Sequence, residues 1–172
     1  MLVRDALLCA AALTVAACGG DDSGRKRNRA VDICEASPDD AQVTIGTSFA
    51  EGASVAAFLD VEEGGVLELV HGPQGGFHVE IGLRAAHLDT SKLLAGELRG
   101  WINGEMLANV APWFLFTCTD EGQDSWGTLL IFRAQPEELH LQTVEVELDL
   151  TDASGTDVFA SGTFLIEDPE LL

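Results

Sequence analysis

The chain has 172 residues and a net charge of −20, with 29 acidic and nine basic residues. This excess of negative charge repels nucleic acid and anionic lipid, so no nucleic-acid partner is expected. From Val31 onward there are 26 acidic residues and only four basic ones, which are Arg84, Lys92, Arg99 and Arg133. That part holds about 140 residues, enough for one domain with a sizeable core.

The first 17 residues have the pattern of an export signal. Arg4 supplies a positive start, and residues 6–17 form an apolar run much shorter than the roughly 20 residues of a membrane-spanning helix. The run ends in VAACG at residues 15–19, which resembles the lipobox of bacterial lipoproteins. The resemblance implies a signal peptide at 1–17, cleavage before Cys18 and lipidation of that cysteine. The alternative is an ordinary secretory signal followed by a chance cysteine.

Residues 18–30 are predicted to be a lipid anchor followed by a flexible basic tether. Glycine, serine and charged residues dominate this stretch and cannot build a core. Its basic cluster is Arg25, Lys26, Arg27 and Arg29. This cluster would contact anionic headgroups at about 1 kcal/mol per residue, or it is a solvated linker with incidental charge. By resemblance to Gram-negative lipoproteins, Gly19 after the cysteine implies the outer membrane of the cell envelope, at its periplasmic face or the cell surface.

Residues 31–172 are predicted to form one acidic β-domain. Apolar and polar residues alternate in three stretches, at 77–85, 144–150 and 158–166, which is typical of strands with one buried face. Further strands are expected near 43–47, 55–60, 66–71, 96–103, 113–119 and 127–133, and turns at 62–65, 72–76, 121–124 and 152–155. No long helical period follows Ala30. About eight short strands at this spacing predict an all-β antiparallel sandwich.

The final predicted hairpin, residues 144–166, resembles the closing strands of immunoglobulin-like domains in bacterial surface proteins. The resemblance implies an immunoglobulin-like sandwich. It does not extend to a true immunoglobulin domain, because the chain has no tyrosine and cannot form a tyrosine corner.

Two cysteines, Cys34 and Cys118, remain after the signal and the lipidated Cys18 are set aside. An even number of cysteines in an exported protein predicts a disulfide. Their separation does not match the short spacing of the antibody-type bridge. The alternative is two separate buried thiols. A metal site on these cysteines is not expected, because the chain has no C-x-x-C pair.

The segment HGPQGGFH at residues 71–78 contains the most distinctive turn. It resembles GPQGG-x-H segments of bacterial lipoproteins, a resemblance that implies no activity. Gln74, Gly75, Gly76 and His78 are a candidate ligand-binding turn, since such a turn can present free backbone amides; tight turns use the same residues for geometry alone. Strand parity places His71 on the apolar side and His78 on the polar side, so a shared metal would need a bulge.

Other metal candidates are weaker. His87 is expected to cap the core at a strand end, and His140 to lie on the surface. Asp120 and Asp124 in one turn are weak metal candidates with His71 and His78. The acids of a second loop, Asp149, Asp152 and Asp157, are weak candidates for calcium. Neither loop has the ligand spacing of an EF-hand, and both are equally explained as solvated turns.

No nucleophile elbow, zinc-protease helix motif, P-loop or dinucleotide fingerprint is present in the sequence. With so many acids, a close carboxylate pair carries no information about glycoside hydrolysis. Trp101, Trp113 and Trp126 would line a sugar-binding groove or serve as core and interface residues. We therefore expect a non-catalytic, lipid-anchored binding or scaffolding protein without a cofactor, its partner an envelope protein or a glycan. The alternatives are an envelope protein binding Zn, Cu or Ca, and a hydrolase with an unrecognised carboxylate site.

Overall fold

A computed structural model of the protein describes residues 33–48, 57–73 and 75–172. The predicted signal, Cys18 and the basic cluster lie outside these residues. Within them the chain forms eleven strands, a short helix at Pro136–Leu139 and a 3₁₀ turn at Pro169–Leu171. The strands are β1 Gln42–Thr47, β2 Val66–Glu68, β3 Val70–His71, β4 Phe77–Ala86, β5 Leu94–Ile102, β6 Glu105–Val110, β7 Trp113–Phe114, β8 Thr117–Cys118, β9 Gln123–Phe132, β10 Thr143–Thr151 and β11 Asp157–Glu167.

The eleven strands belong to one hydrogen-bonded sheet. Its main order is β1-β4-β9-β6-β5-β10-β11-β2, while β3 pairs with β4, β7 with β5 and β8 with β9. All pairings are antiparallel except that of β2 with β11. The sheet curls until β1 and β11 contact each other, so its two halves enclose the core. The predicted all-β antiparallel sandwich is confirmed.

The core follows the period-two pattern of the sequence. Val144, Val146, Leu148 and Leu150 are at most 2 % exposed, while the acids between them point outward from β10. The inward residues of β4, including Val79, Ile81 and Leu83, are fully buried as well. This alternation fixes which side chains form the outer surface of the sheet, because adjacent residues of a strand point to opposite faces.

Three strand predictions differ in detail from the structure. The stretch 66–71 divides at Leu69 into two strands, because β2 pairs with β11 whereas β3 pairs with β4. The N–H of Leu69 itself donates to the Glu167 carbonyl at 2.8 Å. The stretch 113–119 contains two strands of two residues each. Of the stretch 55–60, residues 55 and 56 lie outside the described part, and the rest contributes one bridge to β1.

β6 was missed, although its hairpin with β5 carries a recognisable signal. Asn103 and Gly104 connect the two strands with φ values of 51° and 79°. An Asn-Gly pair with two positive φ angles is the typical two-residue hairpin turn. The strand itself, Glu105–Val110, has no clear alternation, and this is why periodicity did not detect it.

The predicted disulfide joins Cys34 to Cys118, with an S–S distance of 2.02 Å. It connects the first described residues to β8, near the N-terminal end of β9. Gln123 reinforces this region from the interior, since its amide nitrogen donates to the Leu88 carbonyl at 2.8 Å and the Cys34 carbonyl at 3.4 Å. No helix in the described part of the chain is long and apolar enough to cross a membrane.

Candidate ligand-binding surface

The candidate turn at residues 72–76 is a tight connection between β3 and β4. The Gly72 N–H donates to the Gly76 carbonyl at 2.8 Å, and the Gly75 N–H to the Gly72 carbonyl at 3.0 Å. These two amides are used inside the turn and do not face a ligand. Gln74 lies outside the described residues, and His78 is half-buried on β4 opposite Ile131 of β9.

His71 and His78 point to opposite faces of the sheet, as their parity predicts. His71 pairs with Phe77, and their rings meet edge-on at 5.1 Å. The His71 ring is directed at the carboxylate of Asp168, with 2.9 Å between Nε2 and Oδ2. This hydrogen bond is the main cause that raises the pKa of His71 above its ordinary value of 6.5.

Asp168 is the centre of a cluster that fastens the C-terminal segment to the domain. Its side chain is fully buried, and Oδ1 accepts the N–H of Glu170 at 2.9 Å. The N–H of Asp168 donates to Nδ1 of His140 at 3.1 Å. The expectation that His140 lies on the surface is therefore wrong: its ring is half-buried against a segment 28 residues further along the chain. Periodicity carries no signal for such a long-range contact.

His87 does not cap the core. β4 ends at Ala86, and His87 has a φ of 63°, so its side chain leaves the apolar row of the strand. Its Nδ1 lies 3.1 Å from the Glu35 carbonyl, and its backbone bonds both Ile33 and Ser37. The residue fastens the first described segment to the end of β4.

The turn expected at 121–124 ends earlier, because β9 begins at Gln123, and the two metal candidates there have different surroundings. Asp120 is exposed, whereas Asp124 is buried and both of its oxygens accept from Arg84 at 2.8 Å. Arg84 also binds Glu121 and lies 4.6 Å from the ring centre of Phe58. The hydrogen bonds that Arg84 donates to Asp124 are the main cause that raises the pKa of Arg84. In residues 33–48, 57–73 and 75–172, no three His, Cys, Asp or Glu side chains are placed to share a metal ion.

The acids considered for calcium have separate structural partners. The buried Asp152 carboxylate accepts the N–H groups of Asp89, Ser154 and Thr156 at 2.8–3.0 Å. Burial alone would raise the pKa of Asp152, but these hydrogen bonds outweigh it and lower the pKa. Asp157 accepts from the Thr151 hydroxyl at 2.7 Å. Asp152 therefore organises the β10–β11 turn.

The outer side of β5, β10 and β11 brings together residues that are far apart in sequence. We define the acidic face as Ala95, Glu97, Arg99, Glu147, Asp149, Thr151, Asp157 and Phe159. Cross-strand register sets them in rows: Ala95 is opposite Thr151, which is opposite Asp157; Glu97 is opposite Asp149, which is opposite Phe159. Paired residues on one face have Cβ atoms about 5 Å apart, so these carboxylates are close neighbours.

Arg99 is the one cation of the acidic face. It forms ion pairs with Glu97 and Glu147, both at 3.2 Å, and with Asp149. The hydrogen bond with Asp149 is the main cause that raises the pKa of Arg99. Four carboxylates against one guanidinium leave the face with a net negative charge, even though each acid has a partner.

A groove of about 450 Å³ lies on the acidic face, and the strand register places one exposed aromatic residue next to its lining on either side. Ala95, Gly96 and Thr151 have small side chains or none and leave space in it, and Glu97, Asp149 and Asp157 line it. Trp113 of β7 is opposite Ala95 at one side and is 68 % exposed. Phe159 of β11 lies at the other side and is 57 % exposed.

The other tryptophans do not border this groove. Trp101 is half-buried further along β5, and its Nε1 donates to Glu147 at 3.0 Å. Trp126 is 39 % exposed on β9, where the register with β4 shifts. Of the three candidates for a groove, Trp113 is therefore the one that lies beside this groove. Phe159 was missed as a groove residue because alternation within one strand cannot reveal which strands become adjacent.

No protein-family model matches the chain, and no curated protein is significantly similar to it.

Proposed function

We propose that the protein is a lipid-anchored, non-catalytic binding protein of the bacterial cell envelope, and that the acidic face is its binding surface. The observation that carries the binding role is the groove, where carboxylates line the surface and an aromatic side chain is exposed on either side. Exposing a large aromatic side chain forgoes the free energy that its burial would supply, so contiguous exposed apolar groups commonly mark interaction sites.

The apolar side of the groove extends beyond Trp113. Leu93 and Leu115 are the chain neighbours of the paired residues Leu94 and Phe114, and they are 49 % and 66 % exposed. Together with Trp113 they form an apolar edge next to the acidic groove. An apolar edge bordered by charged groups is the composition expected for a surface that is covered by a partner.

The lipid-anchored part of the proposal is supported by the lipobox-like sequence before Cys18, and the predicted disulfide, now found in the fold, suits an oxidising compartment. Intact-mass measurement on protein extracted from its own membranes, without reduction, tests the anchor. We expect a chain that starts at Cys18 and carries acyl chains. An unlipidated mass would contradict the anchor while leaving the binding surface to be tested separately.

Photo-crosslinking in intact cells tests the binding role. A photoreactive phenylalanine analogue at Leu115 is expected to give a reproducible crosslinked product. The matched control carries the same analogue at Glu105, an exposed residue that begins β6 and is opposite Ile102, the last residue of β5. Equal crosslinking from the two positions, or none from either, would contradict a binding role for the acidic face.

A further inference from the structure

We infer that the ligand of the acidic face is an extended polypeptide segment of a partner protein, with lysine or arginine at every second position. This inference rests on the proposed function and specifies the chemistry of its ligand. The observations that carry it are the charge of the groove, its two aromatic sides and their separation.

Charge selects a cationic ligand. Glu97, Asp149 and Asp157 line the groove, and Arg99 compensates only part of this charge. The rest of the domain is also strongly acidic. Its field repels anionic chains and attracts basic ones, which raises the rate at which a basic partner arrives. Each carboxylate has lone pairs beyond its present hydrogen bond, so it can accept from an incoming ammonium or guanidinium group.

The aromatic sides suit the same ligand. A guanidinium or ammonium group stacks favourably on the face of Trp or Phe, and the alkyl stems of Lys and Arg pack against apolar surface. Trp113 and Phe159 offer such surfaces at the two sides of the groove. A neutral glycan would also stack on these rings, but it would leave the net charge of the groove uncompensated. Charge complementarity therefore favours the basic segment.

The spacing of the two aromatic residues sets the length of the segment. From β7 across β5 and β10 to β11 there are three interstrand spacings, or about 14 Å, and Phe159 lies two residues along β11 from Asp157, the residue in the cross-strand row of Trp113. The two aromatic positions are therefore about 16 Å apart. Residues i and i+4 of an extended chain are about 13 Å apart, and the long side chains of lysine and arginine span the difference. Side chains at i, i+2 and i+4 of an extended segment point the same way. Basic residues at i and i+4 would then cover Trp113 and Phe159, and the one at i+2 would meet the carboxylates.

The chain's own basic cluster has arginine at 25, 27 and 29 and would satisfy the same pattern. In the anchored protein we expect this cluster to contact anionic headgroups next to Cys18, which leaves the acidic face to a partner. The test therefore includes a variant without the cluster.

The experiment is a fluorescence-anisotropy titration of the purified full-length protein with a labelled, capped Arg-Gly-Arg-Gly-Arg peptide. The matched control peptide is Gly-Arg-Arg-Arg-Gly, with the same charge but the wrong spacing. We expect the alternating peptide to bind more tightly than the control peptide. Its affinity should fall as the salt concentration is raised from 50 to 200 mM, because salt screens the attraction between surface charges. Trp113→Ala and Phe159→Ala should each weaken binding about tenfold, and Asp157→Asn about threefold. Glu105→Gln, which removes one charge elsewhere, should leave it unchanged.

Equal affinity for the two peptides, or equal binding by the face variants and the wild type, would show non-specific charge attraction and overturn the inference. Binding of cellotetraose or chitotetraose in place of the peptide would overturn it in favour of a glycan. Much tighter peptide binding after Arg25, Arg27 and Arg29 are changed to Gln would identify the chain's own cluster as the occupant. Circular dichroism establishes that each variant is folded. A crosslink from Leu115 without peptide binding would retain the proposed function and reject only this ligand chemistry.

Discussion

Replacing both cysteines of the disulfide by serine should destabilise the domain strongly without changing its fold. The Cys34–Cys118 bridge closes a loop with a sequence separation of 84 residues. The regions it joins are also held by native contacts, because Gln123 bonds the backbone of Cys34 and Leu88, and His87 bonds Ile33. These contacts should keep the native arrangement when the covalent bond is absent.

The magnitude follows from the loop length. In the chain-entropy description, cross-linking a loop of this size lowers the entropy of the unfolded chain by an amount worth about 4–5 kcal/mol at 25 °C. For a domain of about 140 residues the entropy of unfolding is about 0.3 kcal/mol per kelvin. The double serine variant should therefore melt about 15 °C below the wild type.

Guanidinium unfolding of the non-reduced wild type and the Cys34→Ser, Cys118→Ser variant measures this difference. The variant should show a lower free energy of unfolding and a larger m-value, because its unfolded chain exposes more surface. Near-ultraviolet circular dichroism should report native packing before unfolding. A loss below about 1 kcal/mol with an unchanged m-value would refute the entropic reasoning, since the bridge would then not restrict the unfolded chain.

Arg84→Met should cost about 2–3 kcal/mol in chemical unfolding, because it leaves a buried carboxylate without its charged partner; Arg84→Lys should recover part of this, and equal stability of Arg84→Met and wild type would contradict the ion pair's role. The raised pKa of His71 means that the protonated ring stabilises the folded state fully below pH 6.5 and that this stabilisation is lost as pH rises through the folded pKa. Unfolding titrations from pH 6 to 8 should show this loss in the wild type but not in Asp168→Asn, and parallel profiles would contradict the assignment. Gly96→Ala should lower the melting temperature measurably, because its Cβ would lie 2.8 Å from the Phe114 ring; an unchanged melting temperature would show that the ring can move aside.

Much of the fold could be predicted because strand parity records which residues face the core. The alternation in β10 identified its buried valines and leucines, and Cys34 and Cys118 were paired by elimination on the expectation that the chain is exported. The two short strands β7 and β8 lack enough residues to show a period. The parallel contact of β2 with β11 joins residues about 100 positions apart, and no local pattern specifies such a pairing.

The binding surface was predictable only in its parts. Trp113 was recognised as a groove candidate, but nothing local distinguishes it from Trp101 and Trp126. The carboxylates of the face lie on three strands, β5, β10 and β11, and only the register of these strands makes them neighbours, as where Glu97 is opposite Asp149. A sequence with so many acids offers many pairs, and only the sheet topology selects among them.

The groove lies at the end of the sheet that holds the first described residues. The backbone carbonyls of Cys34 and Leu88 both accept from Gln123. The N–H of the next residue, Asp89, donates to Asp152, which follows the groove residue Thr151. If the lipid is on Cys18, this end is tethered by fewer than 20 residues, so we expect the groove to work close to the membrane. Anionic headgroups repel the acidic domain and attract basic segments, so they would concentrate in that space the kind of ligand that the groove fits. A partner whose basic segment lies next to a membrane-embedded region would meet the groove without the domain having to turn over.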